Sequence, residues 1–375
     1  MDSGDLLNEE EEVPSAIEKS ARMKAEHMVE LYKTIGIDAV NIGEFDLALG
    51  IDYLKELAKK TDFPFISANI VDAGGEPVFP RYVIKKVGDR NVGIFGLIGD
   101  TGDMPKKVKE ITNDAASVSD VVAAATSVVK ELEGKVDYIV ALTHHPANRD
   151  WVIARRVNGV DLVVGGHDKQ RTETPLDVDG KSHIVRSGEK GQYLGMFEVD
   201  IADKSSITHE LVPLGDLIAD KAEIKAIITA YNDSIYDMYS GDGETGVNPA
   251  ANAVLQSEKC GTCHSSHLEK WKTTDHAKAY TTLFDKAKNY DPTCLACHTV
   301  RFEQPGGFNM KDQPMSLVNV QCEACHGDAK DHLASMQPIP TPRPSIDVCA
   351  KCHTSDRNPT LRKDEKIFMD KIRHK

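Results

Sequence analysis

The first 240 residues alternate between helical and extended spacings of their hydrophobic positions. Apolar residues recur at helical spacing in 17–32, 51–59 and 217–239, and compact apolar runs typical of buried strands occupy 39–42, 64–70, 92–97, 138–142 and 162–164. Because helices and buried strands alternate, the pattern predicts a layered α/β domain over residues 1–239. Polar residues and glycines follow several of these strands, at the strand ends where α/β folds build their sites.

The last third of the chain has a different pattern. Residues 338–344 contain four prolines, and 304–307 read as a turn. Large aliphatic side chains are few, so a core made of side chains alone is not expected. We predict a mostly α-helical second domain over 254–375, organised around a cofactor, with a turn-rich linker at 240–253.

Charge is distributed unevenly between the two regions. Residues 251–375 carry 18 Lys and Arg against 15 Asp and Glu, whereas the other 250 residues carry 27 against 44. The acidic region argues against nucleic-acid binding. No apolar run is long enough to span a membrane, and the acidic first twelve residues do not have the pattern of a signal peptide.

All eight cysteines lie in the last third of the chain, as four C-x-x-C pairs. The pairs are Cys260 and Cys263, Cys294 and Cys297, Cys322 and Cys325, and Cys349 and Cys352. Taken alone, such pairs are compatible with disulfides, with two four-thiolate zinc sites, with redox-active dithiols, or with thioether links to haem.

A histidine directly follows the second cysteine of every pair. These histidines are His264, His298, His326 and His353. On one helical turn, two cysteines three residues apart meet the two vinyl groups of one porphyrin, and the adjacent imidazole points at the iron. A four-thiolate zinc site needs no histidine in that place. The sequence therefore predicts four covalently bound haem c groups, with these histidines as the first axial ligands.

Each iron has a second axial position, for which the segment offers His267, His276 and His332. His267 and His332 follow a motif histidine too closely to wrap around the porphyrin of that motif, so each would serve a neighbouring haem. Three distal histidines for four irons predict three bis-histidine haems. The remaining iron would have a vacant position, a weak water or a methionine.

This segment resembles the tetrahaem cytochrome c-554 family over residues 258–358. The resemblance is carried by Trp271, by the stretch Thr274-Asp-His276-Ala-Lys-Ala279, by Cys294–His298, by Cys322–Gly327 with His332 following, and by Cys349–His353. It implies three bis-histidine haems and one five-coordinate haem. By motif order, the open haem would be the one attached to Cys294 and Cys297.

The first domain resembles the metallophosphoesterase domain of the 5'-nucleotidase family over residues 2–240. The matching segments are Asp2–Asp5, Asp38–Asp46, Leu142–His144, Val160–His167 and Gly191–Gly195. In that family two divalent metals activate water and clamp a phosphate, and a histidine beside an asparagine ligand stabilises the transition state.

Several of the residues that this resemblance requires are absent. Gly43 runs directly into Glu44, so the asparagine ligand and the catalytic histidine are deleted, and Lys169 stands where the last ligand is expected. Asp5, His144 and His167 remain as a degenerate divalent site able to hold at most a single metal, and Asp46 remains from the catalytic pair. The resemblance thus implies a retained scaffold that has lost hydrolysis.

These features predict a multihaem c-type cytochrome that transfers electrons outside the cytoplasm, with other cytochromes as redox partners. The first alternative is a haem enzyme that acts on a small nitrogen or oxygen species at an open iron. The second is a metal-dependent phosphoesterase or nucleotidase with an appended cytochrome. Because thioether haems are attached beyond the cytoplasmic membrane, we expect a periplasmic or extracellular location and a longer precursor with a signal peptide.

Overall fold

The structure is a computed structural model of the 375-residue chain. It describes residues 1–204, 206–215, 218–240, 256–284, 286, 288–310, 313–354, 358 and 360–373. They form two compact units, Met1–Ile228 and Thr229–Lys375. The predicted linker 240–253 lies outside the described residues apart from Ser240.

The first unit contains strands and helices in alternation. Its strands are β1 (Val40–Asn41), β2 (Phe65–Ile66), β3 (Ile70–Val71), β4 (Tyr82–Val87), β5 (Arg90–Ile98), β6 (Ser117–Val118), β7 (Tyr138–His144), β8 (Leu162–Gly165), β9 (Leu176–Val178), β10 (Ser182–Val185), β11 (Tyr193–Val199) and β12 (Ile207–Pro213). Its helices are α1 (Glu18–Ile35), α2 (Ile51–Ala58), α3 (Met104–Ile111), α4 (Val121–Leu132) and α5 (Ala147–Arg156). Helix α6 (Ala222–Ser240) continues into the second unit.

A six-stranded sheet in the order β4-β5-β7-β8-β10-β9 organises this unit. The four inner strands are parallel, and the two edge strands β4 and β9 are antiparallel to their neighbours. Alternate residues of β7 face opposite sides, as the strand period requires. Ile139 and Ala141 pack with helices α4 and α5, whereas Val140 and Leu142 pack with the β1–β2 layer. The layered α/β architecture predicted from the sequence is therefore confirmed.

One predicted strand was wrong. The apolar run 64–70 is not a single strand, because its first part pairs with β1 and its last part pairs with β6. Two buried polar side chains turn the chain between them. The Ser67 hydroxyl accepts from the Ile70 N–H at 3.3 Å, and the Asn69 side chain pairs with the backbone of Ile98 in both directions. In the sequence, this bend is indicated by the two polar residues, Ser67 and Asn69, inside an otherwise apolar run.

The second unit consists of short helices. They are α7 (Ser257–Gly261), α8 (Ser265–Lys272), α9 (Thr281–Phe284), α10 (Pro292–His298), α11 (Cys322–His326), α12 (Lys330–Ser335), α13 (Ile346–Ala350) and α14 (Glu365–Ile372), after the end of α6. In the described part of this unit, extended pairing is limited to one bridge between Thr299 and Val318. Helices of four to eight residues are marginal on their own, so their arrangement must come from what they pack against.

Candidate functional site

The metal-ligating candidates of the first unit meet at the carboxyl ends of the parallel strands. His144 is the last residue of β7, and His167 follows β8 after Gly166. Glu44 follows β1, and Asp5 lies in the opening segment that pairs beside β1. Both Asp5 and His167 have φ of 60°, a left-handed conformation that is uncommon outside glycine. Backbone of this kind persists where the surrounding structure holds a functional group in place.

The ligand atoms of these residues are close together. His144 Nε2 lies 3.0 Å from Asp5 Oδ2 and 3.0 Å from Glu44 Oε2. His167 Nε2 lies 3.7 Å from Glu44 Oε1. Glu44, His144 and His167 each offer a ligand atom within 4.8 Å of the others. The structure therefore brings the three predicted residues together with a fourth, Glu44, which directly follows Gly43 where the family's asparagine ligand is deleted.

The tautomer of His144 follows from its second nitrogen. Nδ1 lies 3.0 Å from the Ser3 carbonyl oxygen, which can only accept, so Nδ1 carries the proton. When the ring is neutral, Nε2 then presents a lone pair toward two carboxylates. Neither of those contacts is aligned as a hydrogen bond, and both His144 Nε2 and Glu44 Oε2 are buried without a hydrogen-bond partner.

The electrostatics favour positive charge between these residues. Burial alone would lower the pKa of His144, but the carboxylates of Asp5 and Glu44 raise it well above its usual value. Burial would likewise raise the pKa of Glu44, but His144 and His167 hold it below its usual value. A cation or a proton at this point is stabilised by the same two carboxylates.

Asp46 has a different role in the structure from its metal-site neighbours. Its side chain is 1% exposed and accepts hydrogen bonds from the N–H groups of Asp5, Leu7 and Gly43, each at 2.9 Å. Burial, with the charge of Asp5 adding to it, raises the pKa of Asp46 to about 7. Asp46 therefore joins the segment after β1 to the opening segment, and both of its carboxylate oxygens accept hydrogen bonds from backbone N–H groups.

The first cysteine of each of the four C-x-x-C pairs lies on a short helix, α7, α10, α11 or α13. None of the eight cysteines is joined in a disulfide in this structure. The thiols of Cys260 and Cys322 are hydrogen-bonded to each other, and Ser257 Oγ lies 3.2 Å from Cys322 Sγ. The attachment points of the first and third motifs are therefore adjacent.

Several histidines of this unit have one ring nitrogen hydrogen-bonded to a backbone carbonyl oxygen. Nδ1 of His298 lies 2.6 Å from the Ala279 oxygen, and Nδ1 of His326 lies 2.9 Å from the Thr341 oxygen. A carbonyl only accepts, so each Nδ1 donates and each Nε2 keeps its lone pair. This second bond orients the ring and raises its basicity, as it does in protein metal ligands generally.

Two pairs of histidine rings come together across the unit. The rings of His264 and His332 have centroids 6.1 Å apart and an interplanar angle of 29°, and those of His276 and His353 have centroids 5.9 Å apart and an angle of 52°. Two imidazoles on opposite sides of one iron, each with an Fe–N distance of about 2 Å, have centroids about 6 Å apart. The centroid spacing of each pair therefore matches that of two axial imidazoles on one iron.

The remaining distal candidate has a different environment. The ring of His267 stacks on His264, with centroids 5.5 Å apart and an interplanar angle of 7°. His298 makes no ring contact with another aromatic residue among the residues that the structure describes. The ligation of a haem by His267 stays a prediction.

Comparisons with known proteins match the two units separately. Residues 259–327 match the family described as cytochrome c554 and c-prime. Cytochrome c-554 of Nitrosomonas europaea is 31% identical over 144 residues, which cover 29% of this chain and 61% of that protein. The 5'-nucleotidase of Rattus norvegicus is 29% identical over 237 residues, which cover 55% of this chain and 40% of that protein. The chain thus spans less than two thirds of the length of each of these relatives.

The fold of the first unit has solved counterparts. The sulfate thiohydrolase SoxB of Thermus thermophilus superposes with a TM-score of 0.53 at 22% identity, covering 63% of this chain and 42% of that chain. At 22% sequence identity, this structural similarity shows a shared fold and nothing more. No described helix is both long and apolar enough to cross a membrane. The chain combines a 5'-nucleotidase-like metallophosphoesterase domain with a C-terminal segment of the cytochrome c554 type.

Proposed function

We propose, from a 5'-nucleotidase-like domain joined to a cytochrome c554-type segment, that this chain is a tetrahaem cytochrome that transfers electrons outside the cytoplasm. The observation that carries the proposal is the pairing of histidine rings at iron-spanning distance, His264 with His332 and His276 with His353. These pairs join residues far apart in sequence. Four C-x-x-C-H motifs, each with its first cysteine on a short helix, supply the covalent attachment.

The side chains of this unit have distinct tasks in that function. Haem iron, when bound, supplies reversible one-electron chemistry. The paired cysteines fix each porphyrin, and the committed Nδ1 atoms of His298, His326 and His332 orient the imidazoles; the third of these bonds joins His332 to the Gln337 oxygen at 2.7 Å. Contact between the thiols of Cys260 and Cys322 supports close haem packing, as a conduit needs.

Replacing His332 with alanine is expected to convert one haem in four from six-coordinate low spin to high spin. The reason is that His332 is the ring facing His264, so its loss vacates one side of that iron. Electron paramagnetic resonance of the ferric protein measures the change. Leu333→Ala is the matched control, because Leu333 is the next residue of α12 and is 52% exposed. A ferric spectrum unchanged by His332→Ala contradicts the assignment.

A second candidate function is small-molecule chemistry at one open haem. His298, in contrast to His264 and His353, has no facing histidine ring among the described residues. We therefore expect the reduced protein to bind one carbon monoxide per chain, at the haem of Cys294 and Cys297, because only an iron with an open position takes this ligand readily. Optical titration of the Soret band counts the sites. Zero sites, or four, would refute a single open haem.

We propose further that the phosphoesterase-like domain has lost hydrolysis and serves as a scaffold or docking partner for redox proteins, other cytochromes in particular. Asp46, the remaining catalytic candidate, has its carboxylate oxygens occupied by three backbone N–H groups. The side chain of Lys169 pairs with Glu189 at 3.0 Å. Covalent haem attachment supports a periplasmic or extracellular location.

A further inference from the structure

The two-metal centre of the 5'-nucleotidase family does not fit the residues of this chain. Such a centre needs ligands for both ions and a group that bridges them. Here Glu44 directly follows Gly43, so the asparagine ligand of the family is absent. The ammonium of Lys169, at the position of the last ligand, forms an ion pair with Glu189 at 3.0 Å. A lysine ammonium is a donor without a lone pair, so it cannot act as a metal ligand. Among the described residues, Glu44, His144 and His167 each offer a ligand atom within 4.8 Å of the others, which suffices for one ion.

The spacing of the remaining ligand atoms is that of a single coordination sphere. Ligands about 2.1 Å from an ion and at right angles to each other lie about 3 Å apart. His144 Nε2 lies 3.0 Å from Asp5 Oδ2 and 3.0 Å from Glu44 Oε2. Two carboxylate oxygens therefore lie close to the same buried ring nitrogen. Such an arrangement is repulsive until a positive charge is placed there.

A second observation points independently to a bound cation. His144 and Glu44 are each 2% exposed, yet His144 Nε2 and Glu44 Oε2 lack hydrogen-bond partners. Buried polar atoms in native proteins are almost always satisfied by protein, water or an ion. The Nδ1–H bond of His144 to the Ser3 carbonyl fixes the ring so that the unpartnered nitrogen faces the two carboxylates.

We propose that Glu44, His144 and His167 form a mononuclear site for one divalent first-row transition ion, with Glu44 as the ligand that the shortened loop brings in. Asp5 Oδ2 lies 3.0 Å from His144 Nε2 and adds negative charge beside the site. Two imidazoles and a carboxylate favour ions of the Mn²⁺ and Fe²⁺ type over Mg²⁺ and Ca²⁺, which prefer oxygen ligands alone. The side chain of His167 is 30% exposed, so the ion keeps positions open to solvent. This site lies in the first unit, whereas the C-x-x-C-H motifs lie in the second.

The test uses the full haem-loaded protein, stripped with a chelator and titrated with Mn²⁺ while electron paramagnetic resonance reports the free ion. We expect one saturable Mn²⁺ per chain, with affinity at least about tenfold weaker in Glu44→Gln. Glu10→Gln is the matched control, since Glu10 is exposed and outside the cluster.

Because Glu44 is buried, His167→Ala gives a second, more tolerant test, and its affinity should fall similarly. Circular dichroism confirms that each variant is folded. Two Mn²⁺ per chain would show that the family centre is retained, and no saturable binding would show that this cluster holds no ion. Either result overturns the proposal, as does wild-type affinity in both variants. None of these readouts depends on electron transfer by the haems.

Discussion

Replacing Cys260 and Cys263 together with alanine is expected to leave three haems per chain and to destabilise the second unit. Each thioether pair holds one porphyrin, and the helices of this unit are too short to be stable without a shared core. Cys260 also contacts Cys322 of the third motif, so the loss reaches a neighbouring attachment site. Intact mass under denaturing conditions counts the haems that remain bound.

The matched control lies inside the same motif. Thr262 lies between the two cysteines and is exposed. Its hydroxyl donates a hydrogen bond to the Lys259 carbonyl at 2.7 Å and makes a weak contact with the Cys263 sulfur. Thr262→Ala should keep four haems. If the double cysteine variant also keeps four, covalent attachment through this motif is disproved.

Asp150→Ala is expected to destabilise the first unit by about 3–5 kcal/mol, the usual cost of removing one partner from a buried charge network. Asp150 is fully buried; its Oδ1 accepts from the Thr143 hydroxyl at 2.7 Å and from His145 Nε2 at 2.9 Å. Its Oδ2 accepts from Arg186 Nε at 3.0 Å. Alanine would leave the Arg186 guanidinium, 4% exposed, without its counter-charge.

Urea unfolding followed by tryptophan fluorescence measures this loss, because Trp151 lies next to Asp150 on α5. Asp89→Ala is the control; that carboxylate is 92% exposed, so its removal should change stability by less than about 0.5 kcal/mol. The double variant Asp150→Ala with Arg186→Ala should lose less than the two single losses added together, because the charges no longer lack partners. Additive losses would argue that the two side chains act independently.

The sequence predicts the α/β layers well, because buried parallel strands are continuous apolar runs. The runs at 92–97, 138–142 and 162–164 correspond to β5, β7 and β8. Short strands were harder to predict. The edge strand β4 has no clear apolar alternation, and the run at 64–70 contains the bend formed by Ser67 and Asn69. Local pattern does not show which strand a given segment will join.

The candidate sites divide in the same way. The C-x-x-C-H motifs are local, so the residues for haem attachment can be read directly from the sequence. The sequence did not identify Glu44 as a possible metal ligand, because the family motif has no ligand at that position. Only the fold shows that Glu44 lies beside His144 and His167. The pairing of His264 with His332 was also beyond the sequence, because these residues are 68 positions apart and only the fold brings them together.

A pyridine haemochrome assay on the purified protein, combined with the ferric spin state, measures the haem content most directly. We expect four covalently bound haems per chain, mostly low spin, with one in four high spin. Colourless protein that contains zinc in place of haem would contradict this expectation.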